Sequence, residues 1–180
     1  MLLLCALACT VPSNTLYGDL TVSNGELLPV EVIGVRVEMP SNQPIVLIRE
    51  IGGIRYLPIW VGAVEASAIA FAQQGVVPPR PMTHDLMKTI IEKLGDPLSS
   101  VHLTEIRDGI FYSELHFQSG ESISSRPSDS ISLALRAGAP ILASAALFAS
   151  VGIEIPDAAD DEVEKFREFL DQINPDDFAG

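Results

Sequence analysis

One pattern occurs twice in this chain, 64 residues apart, and it restricts the possible folds more than any other feature. The shift places Ile59 on Ile123, Glu65 on Asp129 and Ile69 on Leu133. Around these positions both halves read as three strands and two helices. In the first half, Val30 to Met39 is a strand with a bulge at Gly34, and Pro40-Ser41-Asn42 is a turn. Ile45 to Ile48 is a short buried strand, Gly52-Gly53 a hairpin, and Arg55 to Trp60 a third strand. A helix runs from Ala63 to Gln74 and stops at Gly75. A stiff loop from Val76 to Pro81 leads to Thr83, expected to cap a helix from Asp85 to Leu94 that ends at Gly95. In the second half, Val101 to Arg107, Ile110 to Phe117 and Ser122 to Ser125 are strands, with turns at Asp108-Gly109 and Ser119-Gly120. Helices follow from Ser128 to Ala137, ended by Gly138, and from Ser144 to Val151. Such a unit buries its apolar face against its neighbour. The expected fold is α+β: duplicated β3α2 units forming a single barrel-like mixed sheet of six strands, with the helices outside it.

A chain of 180 residues, 47% of them apolar, suffices for one domain with a real core. Its expected limits are residues 30–155. Residues 1–29 are expected to be a leader outside the core, from a start placed too far upstream or a weak signal peptide. The apolar run from Met1 to Val11 is too short to span a bilayer, so no membrane association is expected. Residues 156–180 form an acidic tail. Within it Asp160 to Ile173 reads as a helix, with Val163, Phe166, Phe169 and Leu170 on one face. That stripe is core or oligomer contact, and a homo-oligomer is expected. Net charge is −13. From Glu154 onward ten acids and two bases give −8, leaving −5 for the remainder. This balance argues against a broad grip on nucleic-acid phosphates, though not against binding through a metal or a few Arg residues. Cys5 and Cys9 are the only cysteines, so no disulfide framework exists, which fits a cytoplasmic, reducing compartment.

Four stretches combine polar groups with element ends. They are Trp60 to Ala66, with Glu65 near a helix start; Arg80 to Asp85, with His84 after a rigid loop; the hairpin corner Glu105 to Gly109; and Ser125 to Ser130. In the last, Pro127 suits the first turn of a helix, and Ser125 or Ser128 is placed to cap it. Asp129 then lies where the helix dipole favours an anion, beside Arg126. His102 and His116 read as strand-face residues. There is no HExxH, Walker loop, GxSxG or CxxC. The residues alone specify an α+β domain with an internal repeat.

Four segments together resemble the bifunctional nuclease domain family over roughly residues 30–155. They are Val30-Glu-Val-Ile-Gly-Val-Arg-Val, Tyr56-Leu-Pro-Ile-Trp60-Val-Gly-Ala-Val-Glu65-Ala, Arg80-Pro-Met-Thr-His-Asp-Leu86 and Arg126-Pro-Ser-Asp-Ser-Ile-Ser-Leu-Ala-Leu-Arg136. The likeness is strongest to actinobacterial members, which also carry the Val76-Val-Pro-Pro-Arg80 sequence and the acidic tail. The resemblance implies a duplicated β3α2 fold and nuclease activity on RNA and DNA, hence a nucleic-acid partner. Phosphodiester hydrolysis needs an activated water and charge neutralisation at the phosphoryl oxygens. On that chemistry Glu65, His84 and Asp129 are the candidate catalytic residues. Arg126, Arg80 and Ser128 are candidates for phosphate binding. Glu65, Asp85 and Asp129 are candidates for holding a divalent metal, Mg²⁺ or Mn²⁺. The competing reading is a non-catalytic oligomeric binding or regulatory module. Geometry separates the two: a nuclease needs Glu65, His84, Asp129 and Arg126 at one concave site.

Overall fold

A computed structural model describes residues 21–22, 25–38 and 41–154. Its elements in chain order are β1 (Thr21–Val22), β2 (Gly25–Glu38), β3 (Gln43–Glu50), β4 (Arg55–Trp60), α1 (Ala63–Gln73) and α2 (Thr83–Lys93). There follow β5 (Leu98–Arg107), β6 (Ile110–Phe117), β7 (Ser122–Ser125), α3 (Pro127–Ala137), β8 (Ile141–Ser144), α4 (Ala145–Val151) and β9 (Ile153–Glu154). The leader and the acidic tail helix read from the sequence lie outside the described residues, apart from the short β1 and the start of β2.

The strands form one mixed sheet in the order β7-β6-β5-β8-β2-β3-β4-β9, with β1 paired to the start of β2. Two antiparallel meanders, β2-β3-β4 and β5-β6-β7, make up most of it. Between them lies β8, antiparallel to β2 through Val30↔Ile141 and parallel to β5 through Val101↔Ile141. Two expectations are corrected here. The sheet is open rather than barrel-like, because β9 occupies the outer side of β4 and no ladder among the described residues joins it to β7. And Ile141–Ser144, of which the sequence reading assigned only Ser144, to the helix that follows, is a central strand buried at all four positions.

Local chemistry explains the strand and helix limits. Gly34 takes φ +154, and the β2–β3 register slips between Val32 and Gly34. The slip lets Val32 and Val35, three residues apart, both pack on the core. α3 starts with Pro127 at its first turn and stops at Gly138, whose φ of 69° is the left-handed conformation glycine adopts freely. A single apolar core holds the assembly. Val46 and Ile48 of β3, Leu57 and Ile59 of β4, and Val101 and Leu103 of β5 meet Ile69 of α1, Ile131 and Leu133 of α3, and Phe148 of α4. Met87 and Ile91 of α2 pack against the same cluster, so all four helices share one core with the sheet. No helix among the described residues is long and apolar enough to cross a membrane.

Candidate functional site

The starts of α1, α2 and α3 come together beside the ends of β4 and β7. Beneath the corner, the Ser113 hydroxyl on β6 donates to the Ser125 carbonyl at 2.8 Å and lies 3.0 Å from Ser125 Oγ. Ser130 Oγ in turn lies 2.9 Å from Ser113 Oγ and 3.0 Å from the Pro127 carbonyl. Ser113 and Ser130 are fully buried, so this network pins the backbone on both sides of Arg126. Neither Ser125 nor Ser128 caps α3, contrary to the sequence reading. Arg126 is the cap residue, with extended backbone and no side-chain cap bond, because Ser125 is turned to Ser113 and Ser128 is buried.

The Arg126 side chain projects outward and joins two helices. Its Nε–H and Nη2–H donate to Asp129 Oδ2 and Oδ1 at 2.7 and 3.0 Å, and its Nη1–H donates to Glu65 Oε1 at 3.2 Å. The hydrogen bonds to Asp129, with smaller contributions from Glu65, hold the guanidinium pKa above its ordinary value. Glu65 is the third residue of α1 and Asp129 the third of α3, so the two acids that matched at the 64-residue shift do converge. The cation that offsets their repulsion is the guanidinium between them. His84 Nε2 approaches Asp129 Oδ1 to 3.7 Å, close enough for an ion pair but long for a hydrogen bond.

The other proposed residues stand apart. Thr83 does not cap α2: Met82 is the cap residue, and the Asp85 carboxylate accepts from its backbone N–H at 3.0 Å. Asp85 also receives Arg136 Nε at 3.2 Å, away from Glu65 and Asp129. Arg80 is exposed, with no ion pair among the described residues. Hence Glu65, Asp85 and Asp129 are not presented to a common point, and two of the three are engaged by Arg126. Among the described residues no group of three or more His, Cys, Asp or Glu is placed to hold a metal ion. The residues present do not fit the expected ligand set.

Around the ion cluster is a cleft of about 310 Å³. Its lining includes Gly62 and Glu65 of the α1 start, Arg126, Pro127 and Ser128 of the α3 start, and the apolar wall residues Trp60, Ile110 and Phe111. Three of the four polar stretches thus line one concavity; of the fourth, His84 contacts Asp129, and neither of these two lines the cleft. Sequence reasoning missed the apolar wall. Its signal was present in a lone Trp at a strand end and an apolar pair directly after the Asp108-Gly109 turn.

A family model for the bifunctional nuclease domain matches residues 46–156. An uncharacterized protein of Mycobacterium tuberculosis is 51% identical over 158 residues, covering 83% of this chain and 96% of that protein. Bifunctional nuclease 1 of Oryza sativa subsp. japonica is 29% identical over 116 residues, covering 61% of this chain and 35% of the rice protein.

Proposed function

The chain belongs to the bifunctional nuclease domain family, and on that basis we propose that it hydrolyses phosphodiester bonds of RNA, DNA or both at the Arg126 cleft. The observation that carries this reading is that Glu65 and Arg126 line one cleft, with Arg126 held by Asp129, which lies outside the lining and 3.7 Å from His84.

Each group has a role that its position supports. A guanidinium has five N–H donors. Asp129 and Glu65 engage three of them, leaving one on each terminal nitrogen for phosphoryl oxygens. Asp129, bidentate on Arg126, fixes the plane of that fork. His84, 3.7 Å from the Asp129 oxygen that also accepts from Arg126 Nη2, is the group that takes a proton from water or gives one to the leaving oxygen. Glu65 holds the remaining edge of Arg126. With His84 neutral, the cluster carries −1 from two carboxylates and one guanidinium. An incoming phosphate therefore meets a slightly repulsive site, eased only by the free N–H donors of Arg126. No step is assigned to a divalent cation, since the Arg126 guanidinium already supplies the positive charge between Glu65 and Asp129.

A second reading is favoured by the same contacts. Arg126 ties the starts of α1 and α3 as a strut would, and α2 turns Leu86, Ile90 and Leu94 outward as an oligomer face would. In that reading the domain is a non-catalytic oligomeric binding or regulatory module. The two are separated by incubating the purified protein with labelled single-stranded RNA and DNA, in Mn²⁺, in Mg²⁺ and in EDTA. Cleavage abolished by Asp129→Asn, with an unchanged melting temperature, supports the nuclease. Absence of cleavage in every arm, or full activity of Asp129→Asn, rejects the site.

A further inference from the structure

The apolar wall of the cleft takes no part in the chemistry above. Trp60, the only tryptophan of the chain, ends β4 with 48% of its surface exposed. Its indole N–H donates to Glu38 Oε2 at 3.0 Å, which restrains the ring. The same bond is the main reason the Glu38 carboxyl has a lowered pKa, so the acceptor is a carboxylate. Ile110, also largely exposed, and Phe111 line the cleft with it, and Arg126 lines the same cleft. A restrained aromatic ring and a guanidinium with spare donors thus share one concavity.

The charges elsewhere decide which form of nucleic acid suits such a cleft. Duplex is gripped through its phosphates by rows of free cations. Here Arg49, Arg55, Lys88, Arg107 and Arg136 are each paired with a carboxylate. Arg36, Arg80 and Lys93, the basic residues without an ion pair among the described ones, lie on β2, in the α1–α2 loop and at the end of α2. A single strand offers instead the faces of its bases, and stacking on an aromatic side chain contributes about 1–3 kcal/mol per base with little dependence on sequence. Duplex keeps those faces covered.

We propose that the Arg126 cleft is a single-strand site, with one base stacked on Trp60 and the neighbouring phosphate on the free N–H donors of Arg126, and that it rejects duplex. This names the substrate class of the proposed nuclease and rests on nucleic acid being the ligand of the cleft. Trp60 acts here as a binding residue, and catalysis is left to the ion cluster.

Because Trp60 is the sole tryptophan, its fluorescence reports this site alone. The full-length protein is titrated with a phosphorothioate DNA 12-mer, which resists cleavage, as single strand and as duplex. The single strand quenches Trp60 saturably, and duplex at the same concentration does not. By fluorescence anisotropy with a dye-labelled strand, Trp60→Leu binds about 5- to 150-fold more weakly, the stacking range expressed as a ratio. Trp60→Phe, which keeps a ring, binds within a few-fold of the parent and guards against a folding defect. Equal quenching by duplex, or unchanged affinity of Trp60→Leu, overturns the inference. Quenching without cleavage of an ordinary strand leaves the stacking site standing and removes the nuclease reading. Cleavage of single strand and duplex alike without quenching does the reverse.

Discussion

Mild acid should destabilise this protein through His102. The ring lies on β5, 6% exposed, stacked on the His116 ring with centroids 3.8 Å apart. Its Nε2 is 3.0 Å from Ser100 Oγ, and Glu114 Oε2 is 3.1 Å from His116 Nε2 on the far side of the pair. Burial, and secondarily the neighbouring His116, push the His102 pKa down from 6.5 to about 4. The unfolded chain retains the ordinary value near 6.5. Between pH 6.5 and 4 the unfolded state therefore binds more protons than the folded one, and stability falls as pH falls. The contribution is complete above pH 6.5 and is lost by pH 4. At 1.36 kcal/mol per pKa unit the whole effect is about 3 kcal/mol, of which about 2 kcal/mol is spent between pH 7.5 and 5. His116 over the ring is itself a quarter exposed, so relaxation toward water reduces the realised loss to about 1–2 kcal/mol. The assay is urea unfolding at pH 7.5, 6.5, 5.5 and 5 for the parent and for His102→Phe, which keeps a stacked ring that does not titrate. The difference between the two proteins should change by about 1–2 kcal/mol over that range, since other titrating groups are common to both. Parallel stability curves, or a side-chain NMR titration of His102 centred near 6.5, would refute the reasoning.

Arg126→Met removes ion pairs that are largely exposed, so unfolding free energy should change by about 1 kcal/mol or less, while single-strand affinity measured by anisotropy falls about tenfold or more. In Gly62→Ala the new Cβ overlaps the Glu65 carboxylate, the movable end of a side chain, so Glu65 should swing off Arg126 at a cost of about 1 kcal/mol or less in urea unfolding. A crystal structure retaining the Glu65–Arg126 contact would contradict that. Ser113→Val takes the hydroxyl donor from the Ser125 carbonyl, while Ser130 Oγ keeps the Pro127 carbonyl, and should cost about 1–3 kcal/mol in thermal unfolding, with weaker strand binding because Arg126 is no longer held. An unchanged melting temperature would show that the corner does not depend on this network.

The features legible in the sequence were those set by local chemistry. Gly34, Asp108-Gly109 and Gly138 announced their bulge, turn and helix stop, because each backbone conformation there favours those residues. β8 was not legible. Ile141-Leu-Ala-Ser144 is four apolar or small residues between a proline and a helix, and it is a strand only because β2 and β5 lie on either side of it. The open edge of the sheet escaped notice for the same reason, since β9 is two residues long and owes its assignment to Tyr56 and Arg55. At the site, the 64-residue shift paired Glu65 with Asp129, but nothing in the spacing indicated that one Arg126 would serve both. The expected cap at Thr83 lost to a local bond, from the Met82 N–H to Asp85, and Ser125 turned to Ser113 on a neighbouring strand, while Ser128 lies inside α3. The His102–His116 stack needs the register Ser100↔His116 and His102↔Glu114, which is offset by bulges on β5 that carry no glycine to mark them.

The position of β8 also fixes when this domain can become whole. Both meanders end by Ser125, yet the strand that joins them begins at Ile141. Until it emerges from the ribosome, the inner edges at Leu27–Val30 and Val101–Leu103 have no hydrogen-bonding partner from this sheet. Pairing Val30 with Ile141 closes a loop of more than a hundred residues, a slow event for any chain. Exposed strand edges in the interval are templates for pairing between nascent chains. Synthesis of this protein therefore carries a late vulnerable window, and a chaperone that shields sheet edges should raise its yield more than one that binds apolar helices.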